Sequence, residues 1–206
     1  MKKNKISKNW IIKQHRDPFF KQSKIQGYRS RSAFKLIEMN KKFKFLKKNS
    51  TLLDLGSCPG GWSQVVKSEI INGKILAVDI IPMKKISNVD FIQGDFQENE
   101  TYEKIMVYFN NKADVVLSDM AVNTSGNKTL DSYRIGELCL NAMSLAKKIL
   151  SQDGVFLSKI FMGSIYSEIN EKAKKCFKKV IKYQPLSSRK ESKEIYILCK
   201  GDLKIW

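Results

Sequence analysis

Four aspartates and one lysine lie at or near the ends of apolar stretches whose residue types favour β-strands: Asp54, Asp79, Asp95, Asp119 and Lys159. The carboxyl ends of parallel strands meet at one edge of a sheet, where α/β proteins bind their ligands. A single aspartate at such a point more often caps a helix or a turn. Five charged side chains at equivalent points instead favour a functional site.

Asp119 and Lys159 suggest chemistry on a hydroxyl group. Lys159 follows the apolar run Val155-Phe156-Leu157, so we expect it to be partly desolvated. Burial would favour the neutral amine, which can accept a proton, whereas the neighbouring Asp119 would hold the ammonium ion in place. The pair could therefore deprotonate or orient a hydroxyl nucleophile. For these two residues alone, a structural ion pair is an equally simple explanation.

A glycine-rich turn, GSCPGG at residues 56–61, separates a strand-like run from a helical pattern that begins at Trp62. Such a turn leaves backbone N–H groups open to a nucleotide-like ligand. Its spacing is not G-x-G-x-x-G, so a dinucleotide is disfavoured. Asp54 before the glycines and Asp79 after the next strand suit a ligand with hydroxyls and a positive charge. S-adenosylmethionine has both.

The remaining chain alternates between apolar patterns typical of β-strands and apolar patterns typical of α-helices. This alternation predicts an α/β fold with a mostly parallel, seven-stranded sheet and helices on both faces. The last two strands are joined only by a short loop, so the final strand can insert antiparallel. A polar stretch, NTSGNKTL at 123–130, predicts a mobile loop beside the site. We predict strands at 51–55, 74–80, 89–93, 113–118, 154–160, 178–184 and 193–199, and helices near 62–71, 102–110, 133–150 and 164–177, with a helical segment at 17–48 before them.

The composition indicates a polyanionic partner. The 206 residues carry a formal charge of +18, and 33 of the 38 basic residues are lysine, which biased codon usage could also explain. The arginines at 29, 31 and 189 are more informative, because they stand in basic clusters and grip phosphate better than lysine does. Nucleic acid is therefore favoured over a membrane surface, because a hydrophobic content of 42% fits a soluble globular protein. No apolar run approaches the length of a membrane span. The four cysteines are dispersed, which predicts no metal site and a reducing compartment.

Seven segments occur in the order of a known family: YRSRSAFKL, DLGSCPGGWSQ, AVDIIPM, FIQGDF, VVLSDMAVNTSG, FLSKIF and SSRKESKEIYIL. Together they resemble the FtsJ/RrmJ family of RNA ribose 2′-O-methyltransferases, from about Trp10 to Leu198. The resemblance implies a Rossmann-like, S-adenosylmethionine-dependent methyltransferase domain at 49–206, with residues 1–48 as a basic helical extension packed on it. It implies no metal.

The resemblance also implies site residues. The family's Lys-Asp-Lys-Glu tetrad falls on Lys35, Asp119, Lys159 and Glu194. The expected cofactor-binding residues are Asp54, Gly56, Ser57, Pro59, Gly60, Gly61, Trp62, Asp79, Ile80, Asp95, Phe96 and Asp119. The expected RNA-binding residues are Arg29, Arg31, Ser188 and Arg189.

Details of the motifs indicate a branch of the family. GGW and SDMA are more similar to the enzymes that methylate uridine in large-subunit ribosomal RNA than to the tRNA enzymes, and RDPF, RSAFKL and SRKES resemble mitochondrial members. Val122 and Cys58 depart from the usual proline and alanine. We therefore expect a monomer that acts on ribosomal RNA or a large-subunit precursor, in mitochondria or otherwise in the cytoplasm or nucleus, with no membrane partner. A tRNA or mRNA-cap 2′-O-methyltransferase and a non-catalytic RNA-binding ribosome-assembly factor are the alternatives.

Overall fold

The computed structural model describes residues 16–110, 112–122, 125–163, 165–189 and 192–201, apart from the side chain of Lys128. Seven strands of this part form one sheet. They are β1 (Leu52–Leu55), β2 (Ile75–Asp79), β3 (Asp90–Gln93), β4 (Ala113–Ser118), β5 (Leu150–Phe161), β6 (Lys179–Tyr183) and β7 (Glu194–Lys200).

The sheet has the order β3-β2-β1-β4-β5-β7-β6. The strands from β3 to β5 are parallel, and β7 inserts antiparallel between β5 and β6. The central strand β1 is buried at all four positions, as expected for a parallel strand covered on both faces. The predicted seven-stranded sheet with an antiparallel last strand is confirmed.

Six helices in the described residues cover the sheet. They are α1 (Pro18–Ile25), α2 (Ala33–Phe43), α3 (Gly61–Glu69), α4 (Asn99–Phe109), α5 (Lys128–Ile149) and α6 (Tyr166–Cys176). Apolar residues of α4, α5 and α6 form the core on one face of the sheet. Residues of α2 and α3 form the core on the other. None of the helices within these residues is long and apolar enough to cross a membrane.

The segment predicted to be helical over residues 17–48 contains two helices, α1 and α2. Asp17 caps α1 by accepting from the backbone N–H groups of Phe19 and Phe20 at 3.0 and 3.2 Å. The helix α2 ends where Lys44 adopts a left-handed conformation. Its buried Leu36 and Met39 join the core formed with α3. The predicted extension over residues 1–15 lies outside the described residues.

The predicted loop at 123–130 is shorter than expected. The helix α5 begins at Lys128, five residues earlier than predicted, because the side chain of Asn127 accepts from the N–H groups of Thr129 and Leu130. Asp131 in the first turn accepts from both the N–H and the hydroxyl of Ser125. Polar residues in this stretch therefore cap a helix, which composition alone could not distinguish from a loop.

Candidate active site

Strand direction brings the four tetrad residues to one edge of the sheet. Asp119 directly follows β4, and Lys159 lies two residues before the end of β5. Because β7 runs antiparallel to β5, its first residue, Glu194, pairs with Phe161 at that same edge. Lys35 reaches the edge from the first turn of α2, above the face that carries Lys159.

The tetrad consists of two ion pairs. The Nζ of Lys159 lies 3.1 Å from Oδ1 of Asp119 and donates to the carbonyl of the same residue at 2.6 Å. The Nζ of Lys35 donates to Oε1 of Glu194 at 2.5 Å. Lys159 is only 7% exposed, so its ammonium group has little access to water. A hydroxyl that reaches it would meet a nitrogen that Asp119 holds in position.

Tyr196 connects the two pairs, and sequence analysis did not identify it. Its hydroxyl donates to Oδ1 of Asp119 at 2.8 Å, and Nζ of Lys35 lies 5.8 Å from the centre of its ring. Burial, together with the carboxylates of Asp119 and Glu194, raises the pKa of Tyr196 well above its usual value. The phenol therefore stays a donor. Its position two residues after Glu194, on the same face of a strand, was the available signal.

Asp119 is ionised in this arrangement. Burial alone would raise its pKa, but the charges of Lys159 and Lys35 and the hydrogen bonds from Tyr196 and Lys159 outweigh burial and hold the pKa below its usual value. The carboxylate can therefore fix Lys159 in place throughout the neutral pH range.

The glycine-rich turn lies beside the tetrad, with backbone conformations that other residues rarely adopt. Gly56 and Gly60 have φ angles of 71° and 108°. A β-carbon on Gly56 would lie 2.5 Å from Cγ of Met120, the residue after Asp119. The first glycine therefore lets the turn approach the end of β4.

Two buried acceptors, one in β1 and one in the turn that follows it, have no hydrogen-bond partner within the part of the chain that the structure describes. They are Oδ1 of Asp54 and Oγ of Ser57. The other oxygen of Asp54 accepts from the hydroxyl of Ser63 at 2.6 Å. Burial raises the pKa of Asp54 to about 7, against the effect of Ser63, and the charges of Asp119 and Asp79 add to the rise. A ligand that brings positive charge and donors to this point would satisfy the turn, and the sulfonium and ammonium groups of S-adenosylmethionine fit it.

The other predicted cofactor residues have various roles. The two oxygens of Asp79 accept from the N–H groups of Cys58 and Ile81, both at 2.8 Å, and Asp95 accepts from the N–H of Gln97 at 2.9 Å. The indole of Trp62 is buried and donates to the carbonyl of Ser32 at 2.9 Å, so it supports the turn from below. Ile80 is exposed, whereas Phe96 is buried. Contact of these residues with a cofactor stays a prediction.

The predicted RNA-binding arginines have partners within the protein. Arg29 donates to the carbonyls of Pro59, Lys84 and Lys85, and so holds the glycine-rich turn. Arg31 donates to the carboxylate of Asp17 and to the carbonyl of Ser187. Contact of these side chains with phosphate stays a prediction.

Hydrogen bonds to Glu38 and Glu194 hold the loop between β6 and β7 in place. Glu38 accepts from the hydroxyls of Tyr183 and Ser187 and from the N–H groups of Leu186 and Ser187, at 2.7 to 3.1 Å. Ser188 donates to Oε1 of Glu194 at 3.2 Å, and its predicted contact with RNA stays a prediction. Arg189 lies 3.4 Å from Asp17, with its side chain 44% exposed. This loop therefore positions Glu194, and Arg189 has room to contact a ligand.

Comparison with known proteins identifies related chains. The model of the FtsJ-like methyltransferase family matches residues 28–202. The "Ribosomal RNA large subunit methyltransferase E" of Pelagibacter ubique is 50% identical over 200 residues, which cover 97% of this chain and 98% of that protein. The protein of the same name from Rickettsia conorii is 41% identical over 203 residues, covering 96% and 89%. A crystal structure assigned as a ribosomal RNA methyltransferase of Plasmodium falciparum has a TM-score of 0.78 at 35% identity, covering 86% of this chain and all of that one.

Proposed function

Because the chain belongs to the FtsJ-like methyltransferase family, we propose that it transfers a methyl group from S-adenosylmethionine to the ribose 2′-hydroxyl of a uridine in large-subunit ribosomal RNA. The observation that carries this proposal is the tetrad of two largely buried ion pairs, beside two buried acceptors that have no partner among the described residues. The names of the relatives from Pelagibacter and Rickettsia support the ribosomal substrate.

When bound, S-adenosylmethionine supplies an electrophilic methyl group on a sulfonium ion. The residues that would hold it are those of the glycine-rich turn, with Asp54 and Ser57 as acceptors. Asp79 and Asp95, at the ends of the next two strands, would accept from its ribose hydroxyls and adenine amino group.

The tetrad acts on the other reactant. Lys159 would orient the 2′-oxygen towards the methyl donor and, in its neutral form, would accept the hydroxyl proton. Asp119 fixes Lys159, and Tyr196 fixes Asp119 from the other side. The Lys35–Glu194 pair would hold the ribose against this group. Lys159 and the Lys35–Glu194 pair would thus accelerate methyl transfer mainly by positioning the ribose hydroxyl.

The proposal is tested by mapping 2′-O-methylation across ribosomal RNA from cells with and without this protein. We expect one uridine of the large-subunit RNA to lose its methyl group, and expression of the wild-type protein but not of Asp119→Ala to restore it. Loss of methylation in tRNA or at mRNA caps instead would support the alternative substrates. Restoration of ribosome assembly by Asp119→Ala would support a non-catalytic assembly factor.

We also propose that the protein is a monomer and works in mitochondria. Light scattering after size exclusion tests the first statement, and a mass of two chains would overturn it. Fractionation of the source cells tests the second, with the cytoplasm and the nucleus as the alternative outcomes.

A further inference from the structure

Exposed apolar side chains are concentrated at the edge of the sheet that carries the tetrad. Nine large apolar residues of the described part of the chain are exposed, and three of them, Ile25, Ile71 and Val107, lie in or directly after the helices α1, α3 and α4. Of the other six, Ile80, Ile81, Met162 and Leu186 follow the carboxyl ends of β2, β5 and β6, and Leu130 and Tyr133 lie in the first two turns of α5. Apolar side chains grouped in this way mark a surface that contacts a partner.

Three of these residues form what we call the rim patch: Leu130, Tyr133 and Met162, which are 39%, 50% and 40% exposed. Leu130 and Tyr133 are three residues apart on α5 and so share one helix face. A β-carbon on Gly163 would lie 2.2 Å from Oγ of Ser132. The start of α5 therefore approaches the chain directly after β5 at Ser132 and Gly163, which are the sequence neighbours of Tyr133 and Met162.

The rim patch begins beside the tetrad. The N–H of Met162 donates to the carbonyl of Lys193 at 3.2 Å, next to Glu194. Met162 also follows Lys159 by three residues, which is roughly 10 Å along an extended chain. The side chains of Ile80 and Ile81 lie at the other end of the site, after β2, where the cofactor's ribose is expected.

We propose that the rim patch holds an unstacked nucleobase of the substrate RNA next to the reacting ribose, with the ring of Tyr133 as the stacking surface. This inference rests on the proposed function. A 2′-hydroxyl can reach the buried Lys159 only if its nucleotide leaves the helix, so the adjoining bases lose their stacking partners. Unstacked RNA bases bind to aromatic and apolar side chains.

The charge around the rim patch favours RNA over a protein partner. Arg134 is exposed beside Tyr133, and an exposed arginine next to an aromatic ring can contact the phosphate that accompanies the stacked base. The net charge of +18 also favours a polyanion such as RNA as the partner.

The test compares Tyr133→Ala with Tyr133→Phe, and with Val107→Ala as a control at another exposed apolar residue. The substrate is a large-subunit RNA fragment that the wild type methylates, with 2-aminopurine placed in turn at the target and the flanking positions. We expect Tyr133→Ala to raise the KM for RNA roughly 5- to 150-fold with little change in kcat, which is the range for loss of one stacked base. Tyr133→Phe keeps the ring and should behave like the wild type.

A second readout does not depend on methyl transfer. Stacking on Tyr133 should quench 2-aminopurine at one position, and Tyr133→Ala should abolish that quenching. Equal melting temperatures and equal affinity for S-adenosylmethionine would show that the variant is folded. If Tyr133→Ala is not folded, Met162→Ala is measured in its place and should show the same changes in KM and quenching to a smaller extent.

The outcomes separate this inference from the proposed function. Wild-type KM and unchanged quenching in Tyr133→Ala would overturn the rim patch as a base-binding surface. The inference would also be overturned if Tyr133→Ala bound RNA normally but no longer bound a ribosomal protein. A wild type that methylates no RNA would contradict the proposed function, while the quenching experiment would still decide the role of Tyr133.

Discussion

Lys159 donates to both the carboxylate and the carbonyl of Asp119, so a single residue fixes its ammonium group at two points. Asp119 in turn is held by Tyr196. Removal of the lysine therefore leaves the carboxylate in place, and the chemistry of the amine can be separated from the structure around it.

We expect Lys159→Ala to bind S-adenosylmethionine and RNA but to transfer methyl about a hundredfold to ten-thousandfold more slowly, which is the usual contribution of a positioned acid or base. Single-turnover methylation measures the rate without product release. Lys35→Ala is the matched variant from the other ion pair, and a smaller loss is expected if it only positions the ribose. A near-normal rate for Lys159→Ala would exclude it as the base.

Asp54 makes stability dependent on pH. Its pKa is about 7 in the folded protein and near 3.8 in the unfolded chain, so the folded state binds a proton more tightly between these values. Stability from this group is therefore complete below about pH 4 and is lost as the pH rises through about 7, by at most about 4 kcal/mol. Denaturant unfolding at pH 5 and pH 8 should show the loss, and Asp54→Asn should reduce it.

The same carboxyl couples pH to cofactor binding. A cation at Oδ1 favours the ionised form of Asp54, so binding of S-adenosylmethionine should release a proton below about pH 7 and become tighter as the pH rises towards that value. Calorimetry in buffers of different ionisation enthalpy measures this proton. An equal proton release by Asp54→Asn would assign it to another group.

The sequence identified the reactive side chains, but it did not identify the residues that surround them in the fold. Asp119 and Lys159 could be identified because each follows an apolar run, a local pattern. Arg31 also stood out, but its contacts, Asp17 and Ser187, lie 14 and 156 residues away along the chain. Sequence alone could not show that its guanidinium has partners inside the protein, nor that Tyr196 connects the two ion pairs.

At the scale of elements, the loop between β6 and β7 depends on one side chain of α2. We expect Glu38→Ala to lower the free energy of unfolding by about 1–3 kcal/mol, because it removes three hydrogen bonds from this loop and one from Tyr183 at the end of β6. It should also slow methyl transfer, because the same loop leads to Glu194, while cofactor binding is preserved.

The control is Glu103→Ala, which removes an exposed carboxylate from α4. Denaturant unfolding and single-turnover rates should separate the two variants. Equal stability of both proteins would show that the loop does not rely on Glu38.

The existence and order of the elements were predictable, but their boundaries were less so. Local patterns predicted all seven strands. The central strand β1 was the clearest because a strand covered on both faces is apolar and buried, whereas β3 and β6 at the sheet edges are only partly buried and contain charged residues. The start of α5 was missed because Asn127 could equally belong to a turn, and only its bonds to Thr129 and Leu130 identify it as a cap. Sequence could also not divide the helices between the two faces of the sheet.

For the whole molecule, the large positive charge predicts RNA binding that weakens steeply with salt. Arg189 is the predicted RNA-binding arginine that combines an exposed side chain with a place beside Glu194. We expect Arg189→Gln to reduce the slope of log affinity against log salt by about 0.7–0.9, the value for one phosphate contact. The melting temperature should change little, because Arg31 still neutralises Asp17.

Lys104→Gln, at an exposed ion pair on α4, is the control and should leave the slope unchanged. Equal slopes for the wild type and Arg189→Gln would place the RNA path elsewhere on the surface.

The insertion of β7 between β5 and β6 also governs when the protein becomes active during its synthesis. β7 is the last of the seven strands to be synthesised, yet it supplies Glu194 and Tyr196 and covers the edge of β5. A nascent chain that lacks it can complete the glycine-rich turn, but neither the Lys35–Glu194 pair nor the bond from Tyr196 to Asp119 can form. During that interval β5 presents an open edge to other chains. Catalytic competence and protection of this edge are therefore gained in the same late step of folding.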